Sequence, residues 1–238
     1  MPHWTTQQLQ ALLERSDPQD MFDHAAQLVD DLGMVHIGLS LHLHVAARPP
    51  QIVLYNNYPD DWNAHYQDPA FIKQDPIAAR CHRSTLPVLW QDALYDEAPD
   101  FRALACRHGL RHGLRHGWTQ SVHDLRHNQS QLSVSRPEGV IDVSEFYEKA
   151  AQVMWLCHTL HALISEHHLA SMAPAPTLSE RELEVLKWSA VGKTAADVAC
   201  ILSLSTSTVN FHIRSVISKT NAANKAGAIA IAVSRGLI

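Results

Sequence analysis

TAADVACILSLSTSTVNFHIRSVISK, Thr194 to Lys219, contains two amphipathic helical runs separated by three residues. Ala195, Val198, Ala199 and Leu202 recur at the three- and four-residue spacing that lines one face of a helix, and Val209, Ile213 and Val216 do the same in the second run. Ser203-Leu204-Ser205 leaves room only for a tight turn. The order is therefore helix, turn, helix, an arrangement whose second helix lies in the major groove of DNA. Opposite its apolar stripe the second run carries Ser207, Thr208, Asn210, Arg214 and Lys219. Asn bonds an adenine edge bidentately, Arg does the same for guanine, and hydroxyls or Lys hold phosphates. A helical hairpin with a merely solvated polar face has the same pattern, so this segment alone leaves both readings open.

Working outward, the segment sits in a run of four short helices over 178–238, with breaks at Gly192, at Ser203 to Ser205 and at Asn221 to Asn224. Thr177 followed by Glu180 has the spacing of a capping box and predicts the first helix start. Upstream, HLASMAPAPT (His168 to Thr177) has two prolines and no apolar periodicity, which places an extended linker at 170–177. Charge changes sign across it. The whole chain is −5, but from Leu178 onward seven basic residues face four acidic ones, a balance of +3, against −8 over the first 177 residues.

The first 169 residues read as a mixed domain with helices around one sheet. Two helical patterns flank Ser16-Asp17-Pro18, with Asp17 or Ser16 as N-cap and Gly33 as C-cap. HIGLSLHLHVA and PQIVLYNNYP suit strands, prolines at 69 and 76 break the next helices, and WTQSVHDLRHNQSQLSVSRP predicts a hairpin turning near His127-Asn128. A long helix is expected over Ser144 to His168. Apolar residues at 46% and charged ones at 18% fit an ordinary globular protein. No stretch approaches the roughly 20 apolar residues of a membrane helix and MPHWTTQQLQ lacks signal-peptide order, so the expected location is cytoplasmic. The four cysteines are widely spaced with no C-x-x-C, and reduced thiols are expected.

TLSERELEVLKWSAVGKT, ILSLSTSTVNFHI and NKAGAIAIAVSRGLI resemble the C-terminal domain of LuxR-type transcription factors. Glu182, Leu186 and Gly192 match that family's most regular positions, and Asn210 and Arg214 fall where its members contact bases. NYPDDWNAHYQDPAFIKQDP (Asn57 to Pro76), with VLW ending at Trp90, resembles the acyl-homoserine-lactone-binding domain of quorum-sensing LuxR proteins. Together the resemblances imply an α+β chain. Residues 1–169 would be an α-β-α sandwich with a central antiparallel sheet that binds ligand and dimerises, and 178–238 an all-α helix-turn-helix domain binding double-stranded DNA.

By the same resemblance Tyr58 and Trp62 hydrogen-bond the ligand's polar head, Trp62 through its indole N–H to the lactone carbonyl. Asp75 takes the amide N–H, Tyr66 and Trp90 wall the pocket, and Ser133 adds a hydroxyl. Lys193, Thr194, Ser207, Thr208, Asn210, Arg214 and Lys219 form the DNA surface. The implied partners are promoter DNA, a small-molecule autoinducer, a second copy of the chain and RNA polymerase, with no cofactor and no metal. The chemistry is sensible on its own terms, since a ligand with one amide, one lactone and an alkyl tail needs few directed bonds inside an apolar cavity. Departures from the family are also present. HDLRHNQSQ lacks the hairpin glycines of many relatives, Ser121 stands for a Pro, and Gly38 stands where a ligand-contacting hydroxyl can occur, with Ser40 two residues on. A regulator that is ligand-independent, or that takes a different apolar molecule, is the alternative. The chain lacks Gly-x-Ser-x-Gly, His-Glu-x-x-His and paired Cys motifs, which argues against a hydrolase or metalloenzyme.

RHGLRHGLRHGW, Arg107 to Trp118, puts His108, His112 and His116 four apart, as on a metal-binding helix face. Gly109, Gly113 and Gly117 recur at the same period and oppose a helix. The tetrad reads as a tandem duplication taken up by a loop or frayed turn, with extension of a preceding helix (Pro99 to Cys106) the other option.

Overall fold

The structure is a computed structural model and describes residues 4–44, 50–66, 74–96, 98–99, 103, 114–172 and 176–238. Most of the repeat and of the helix expected from Pro99 lie outside the described residues. Two compact units divide the chain, with the main boundary between His168 and Leu169.

The first unit opens with α1 (Thr6–Leu13) and α2 (Pro18–Asp31). Asp17 caps α2 by accepting from the Gln19 and Asp20 amides, Pro18 takes the first helical position, and Gly33 at φ +76° ends it. Strands β1 (His36–Leu43) and β2 (Gln51–Asn56) follow, then α3 (Asp60–Tyr66), α4 (Pro76–Cys81), β3 (Val88–Leu89) and a 3-10 turn (Asp92–Tyr95). β4 (His116–His123), β5 (Gln129–Arg136) and α5 (Val143–Met172) complete it. The sheet order is β2-β1-β5-β4-β3, and the β1–β5, β4–β5 and β3–β4 pairs are antiparallel.

Register decides what each face carries. Ser133 on β5 pairs with Gly38 on β1 and Thr119 on β4, and Gln131 pairs with Ser40 and Ser121. Side chains alternate along a strand, so these polar residues share one face, while Leu39, Leu41, Leu132, Val134 and Trp118 share the other. On that apolar face Trp118 meets Phe146 of α5 edge-on at 5.7 Å, and Val153, Leu156, Leu160 and Ile164 of α5 are fully buried.

The β4–β5 turn forms without glycine. His127 takes the left-handed conformation at φ +64°, and both Asp124 carboxylate oxygens accept from Asn128, from its backbone N–H at 2.8 Å and from its side-chain amide at 2.7 Å. A polar side-chain clamp thus does what a glycine would otherwise do. α5 runs on to Met172, through the first three residues assigned to the linker. Val143, Tyr147 and Met154 of this helix are exposed.

The second unit is α6 (Glu180–Ala190), α7 (Ala195–Leu202), α8 (Thr206–Thr220) and α9 (Lys225–Ser234). Its breaks fall where expected because Gly192, Ser203 and Asn221 all adopt positive φ. The first cap differs from the expected one. Ser179 and Glu182, not Thr177 and Glu180, form the capping box. The reason is tertiary: Glu182 is 4% exposed and also accepts from Ser215 Oγ at 2.6 Å and Lys219 Nζ at 2.7 Å, which joins α6 to α8. Burial raises the Glu182 pKa, but the bonds from Lys219, Ser215 and Ser179 outweigh it and bring the carboxyl down to about 2. Val185, Val198, Ala199 and Val209 form one core cluster, and Leu186, Val216, Ala228 and Ala232 a second.

Among the described residues no helix is long and apolar enough to cross a membrane, and no group of His, Cys, Asp or Glu is placed to hold a metal ion. Cys81 and Cys157 are buried free thiols and Cys200 is exposed.

Candidate ligand cavity and recognition helix

In the first unit a cavity of about 340 Å³ is lined by the polar face of the sheet and by residues of α3, α4 and the 3-10 turn. That is near the lower end of the roughly 300–1,000 Å³ of small-molecule sites. Tyr58, Trp62, Asp75, Trp90 and Ser133 all line it. Tyr66 closes α3, and its side chain lies outside the described residues.

Each side chain has a local reason for its place. Asn57 sews the chain after β2 to β1, donating its backbone N–H to Ile37 O at 3.2 Å while its side-chain oxygen accepts from Ile37 N at 2.9 Å. Tyr58, the next residue, therefore points across β1, and only a glycine at 38 admits it, because a Cβ there would overlap the Tyr58 hydroxyl. That hydroxyl bonds Ser133. Ser133 Oγ lies 2.9 Å from Thr119 Oγ1, which accepts from Trp90 Nε1 at 3.0 Å. An indole N–H can only donate, so Thr119 accepts from Trp90 and keeps its own hydrogen for Ser133; with Ser133 donating on to Tyr58, the Tyr58 hydrogen is left for a ligand. Burial raises the Tyr58 pKa, the Ser133 bond offsets part of this, and the Asp75 charge raises it again, so Tyr58 stays a protonated donor.

The Trp90 ring crosses β4 at Gly117, where a Cβ would come within 2.9 Å of it, and the Trp90 amide donates to Gly117 O at 2.9 Å. Trp62 is 7% exposed and packs with Leu114, Tyr58 and Tyr95. Asp75 is 6% exposed, and its Oδ1 caps α4 by accepting from Ile77 N at 2.8 Å. The cavity thus combines a neutral hydroxyl donor, a buried carboxyl group and aromatic walls.

In the second unit Ser205 caps α8, whose Ser207, Asn210 and Arg214 are exposed and whose Thr208 is half-buried and bonded to Ser205 Oγ at 2.8 Å. Lys193 is exposed. Thr194 caps α7 and donates from its hydroxyl to Asp197 at 2.7 Å. Lys219 directs its ammonium at Glu182.

Residues 17–164 match the family described as an autoinducer binding domain, and residues 176–232 match the bacterial regulatory proteins of the luxR family. This chain belongs to the autoinducer-binding LuxR family. It is a transcriptional regulator and not an enzyme, with a small-molecule-binding domain ahead of a helix-turn-helix DNA-binding domain. The regulator is 34% identical to the regulatory protein SdiA of Escherichia coli over 79% of this chain and 78% of that one. It is 30% identical to the transcriptional activator SolR of Ralstonia nicotianae, covering 93% of each. A crystal structure of Escherichia coli SdiA superposes with TM-score 0.78 at 29% identity, covering 98% of this chain and 96% of that one. SdiA in complex with octanoyl-rac-glycerol gives 0.75 at 30% identity, with 99% and 98% covered.

Several site residues of this LuxR-type chain escape sequence reasoning. Thr119 joins Trp90 to Ser133, and Gln131 lines the cavity. Both sit on strands buried on both faces, and the alternation Gln131, Leu132, Ser133, Val134 marks a polar face that reads in sequence as one turned to water, not to a cavity. Phe211, next to Asn210 on α8, is an aromatic side chain left 66% exposed.

Proposed function

We propose that this regulator binds an N-acyl-homoserine lactone in the cavity of its first unit and, as a homodimer, binds pseudo-palindromic promoter DNA through α8. The observation that carries the reading is the presence of the Tyr58 donor and the buried Asp75 acceptor in one aromatic-walled cavity. A secondary amide offers one carbonyl and one N–H, and a lactone offers a second carbonyl. Tyr58 donates to one carbonyl, Trp62 through its indole N–H to the lactone carbonyl, and Asp75 accepts the N–H in a charge-assisted bond about twice as strong as a neutral one. Tyr66 and Trp90 wall the site, and Ser133 holds Tyr58.

Residues 1–169 would then be the ligand-binding and dimerisation domain, 170–177 the linker and 178–238 the DNA-binding domain. Dimerisation is assigned to α5, where exposed Val143, Tyr147 and Met154 recur at helical spacing. Asn210 and Arg214 would read base edges, with Lys193, Ser207 and Thr208 on phosphates and RNA polymerase recruited at the promoter. A second reading has one specific support, namely that a structurally similar relative was solved with octanoyl-rac-glycerol, an acyl ester with no lactone.

The test is to express the full chain with and without N-octanoyl-homoserine lactone and to identify what co-purifies by mass spectrometry. Soluble protein carrying the lactone in equimolar amount, and promoter binding only in its presence, is the expected result. A monoacylglycerol recovered in its place, or promoter binding indifferent to ligand, would overturn the lactone assignment.

A further inference from the structure

We propose that Gln131, with Ser40 beside it, forms a second polar site in the cavity that selects acyl chains bearing a keto or hydroxyl oxygen over plain alkyl chains. The inference rests on the reading of the cavity as an acyl-homoserine-lactone site. Gln131 is 8% exposed, lines the cavity, and its side-chain Nε2 is buried with no hydrogen-bond partner. A buried amide nitrogen without a partner is uncommon in folded proteins and costs free energy until something accepts from it.

The surrounding sheet face sharpens the point. Its neighbours are tied down within the protein: Thr119 bonds Ser133, Ser121 Oγ donates to Ser84 O at 2.6 Å, and His123 Nε2 lies 2.9 Å from Cys81 O. Gln129 also has an unpartnered amide nitrogen but does not line the cavity. Ser40, which pairs with Gln131 in register, lines the cavity with it. A wall shaped for an alkyl tail would be apolar here, as Leu132 and Val134 make the other side of the same strand.

Position fixes which part of the ligand is read. Gln131 lies two residues along β5 from Ser133 on the same face, a displacement of roughly 6.7 Å. With the head group at Tyr58 and Ser133, an amide on a two-carbon stem at position 131 reaches chain carbons shortly beyond the amide carbonyl. An oxygen there accepts from Nε2, and a methylene leaves that nitrogen unpartnered. Discrimination against a ligand lacking the bonded oxygen follows from the orphaned donor and not from lost area.

The experiment compares N-octanoyl-, N-(3-oxooctanoyl)- and N-(3-hydroxyoctanoyl)-homoserine lactone on the full-length protein by ligand-dependent thermal shift, for wild type, Gln131→Leu and Gln131→Met. Wild type is expected to bind at least one oxygenated ligand about fivefold or more tightly than the plain one, as one such hydrogen bond predicts. Gln131→Leu and Gln131→Met should abolish that preference and bind the plain chain more tightly than wild type does. Equal binding of all three by wild type, or an equal loss for all three in the variants that fold, overturns the role of Gln131. Binding of none of the three by wild type overturns the lactone assignment itself and this inference with it, a result distinct from equal binding. The wild-type comparison decides the matter even if neither variant folds.

Discussion

Gly38→Ala adds one methyl group where Tyr58 crosses β1. The new Cβ would overlap the Tyr58 hydroxyl and lie 2.6 Å from Cζ and 2.9 Å from Cε2 of its ring. Carbon atoms in good contact sit about 3.5–4 Å apart, so the ring must retreat by about 1 Å. The backbone cannot yield, because Asn57 is sewn to β1 and Tyr58 N donates to Asn56 Oδ1 at 3.0 Å. The ring therefore swings off Ser133. The lost bond costs about 1 kcal/mol and the overpacking about 1–3 kcal/mol, a large share of the 5–15 kcal/mol that holds a typical domain. With Tyr58 displaced, ligand affinity should fall about fivefold to tenfold. Thermal denaturation at several ligand concentrations separates the two effects, since the ligand-dependent part of the stability reports affinity. Tyr58→Ala removes the colliding ring, so Gly38→Ala made in that background should cost little. Additivity of the two substitutions, or a Gly38→Ala protein with unchanged ligand response, would refute the crossing argument.

Trp62→Phe keeps the aromatic wall but removes the indole donor, and ligand-dependent promoter binding should weaken at least tenfold while the second unit keeps its helical signal; unchanged ligand sensitivity would remove Trp62 from the site. Glu182→Gln should destabilise the second unit by about 2 kcal/mol, less than the roughly 3 kcal/mol that a pKa drop from 4.5 to about 2 implies, because Lys219 is 41% exposed and water screens the pair. Since this carboxyl titrates below its unfolded value, the advantage of wild type over Glu182→Gln is complete above pH 4.5 and fades as pH falls through about 2, which melting curves across that range will show. Arg214→Ala should cost about 1–3 kcal/mol of promoter affinity and relax specificity at one base, whereas Lys219→Ala should lower melting temperature with little change in the salt dependence of binding. A large fall in salt slope for Lys219→Ala would show Lys219 holding a DNA phosphate in addition to Glu182.

Local signals in the chain were legible wherever the chemistry is local. Asp17-Pro18 caps and opens α2, and the breaks at Gly192, Ser203 and Asn221 end helices by positive φ. The capping box was misread by two residues because Thr177 and Ser179 have the same local spacing to a Glu, and only the reach of Glu182 to Ser215 and Lys219, more than thirty residues away, distinguishes them. The same contact hid the structural role of Lys219. In the cavity, Tyr58, Trp62, Asp75, Trp90 and Ser133 come together, yet the hydroxyl bridge through Thr119 was invisible, since it needs the Trp90 indole to reach from the end of β3 to Thr119 on the neighbouring strand. Gly38 looked like a missing hydroxyl. It is instead the opening through which the Tyr58 hydroxyl arrives.

On β4 the indole of Trp118 supports α5 and the hydroxyl of Thr119 serves the cavity, one peptide bond apart. The wall between the two compartments is a single strand thick, so its integrity is a question of parity. A slip of one residue would drive the indole into the ligand space and place a hydroxyl in the apolar core, ruining both at once. A slip of two or four keeps odd and even residues on their own sides. The R-H-G-L unit, repeated just before this strand, is four residues long. A duplication of even length is the kind of copying accident that such a wall can survive.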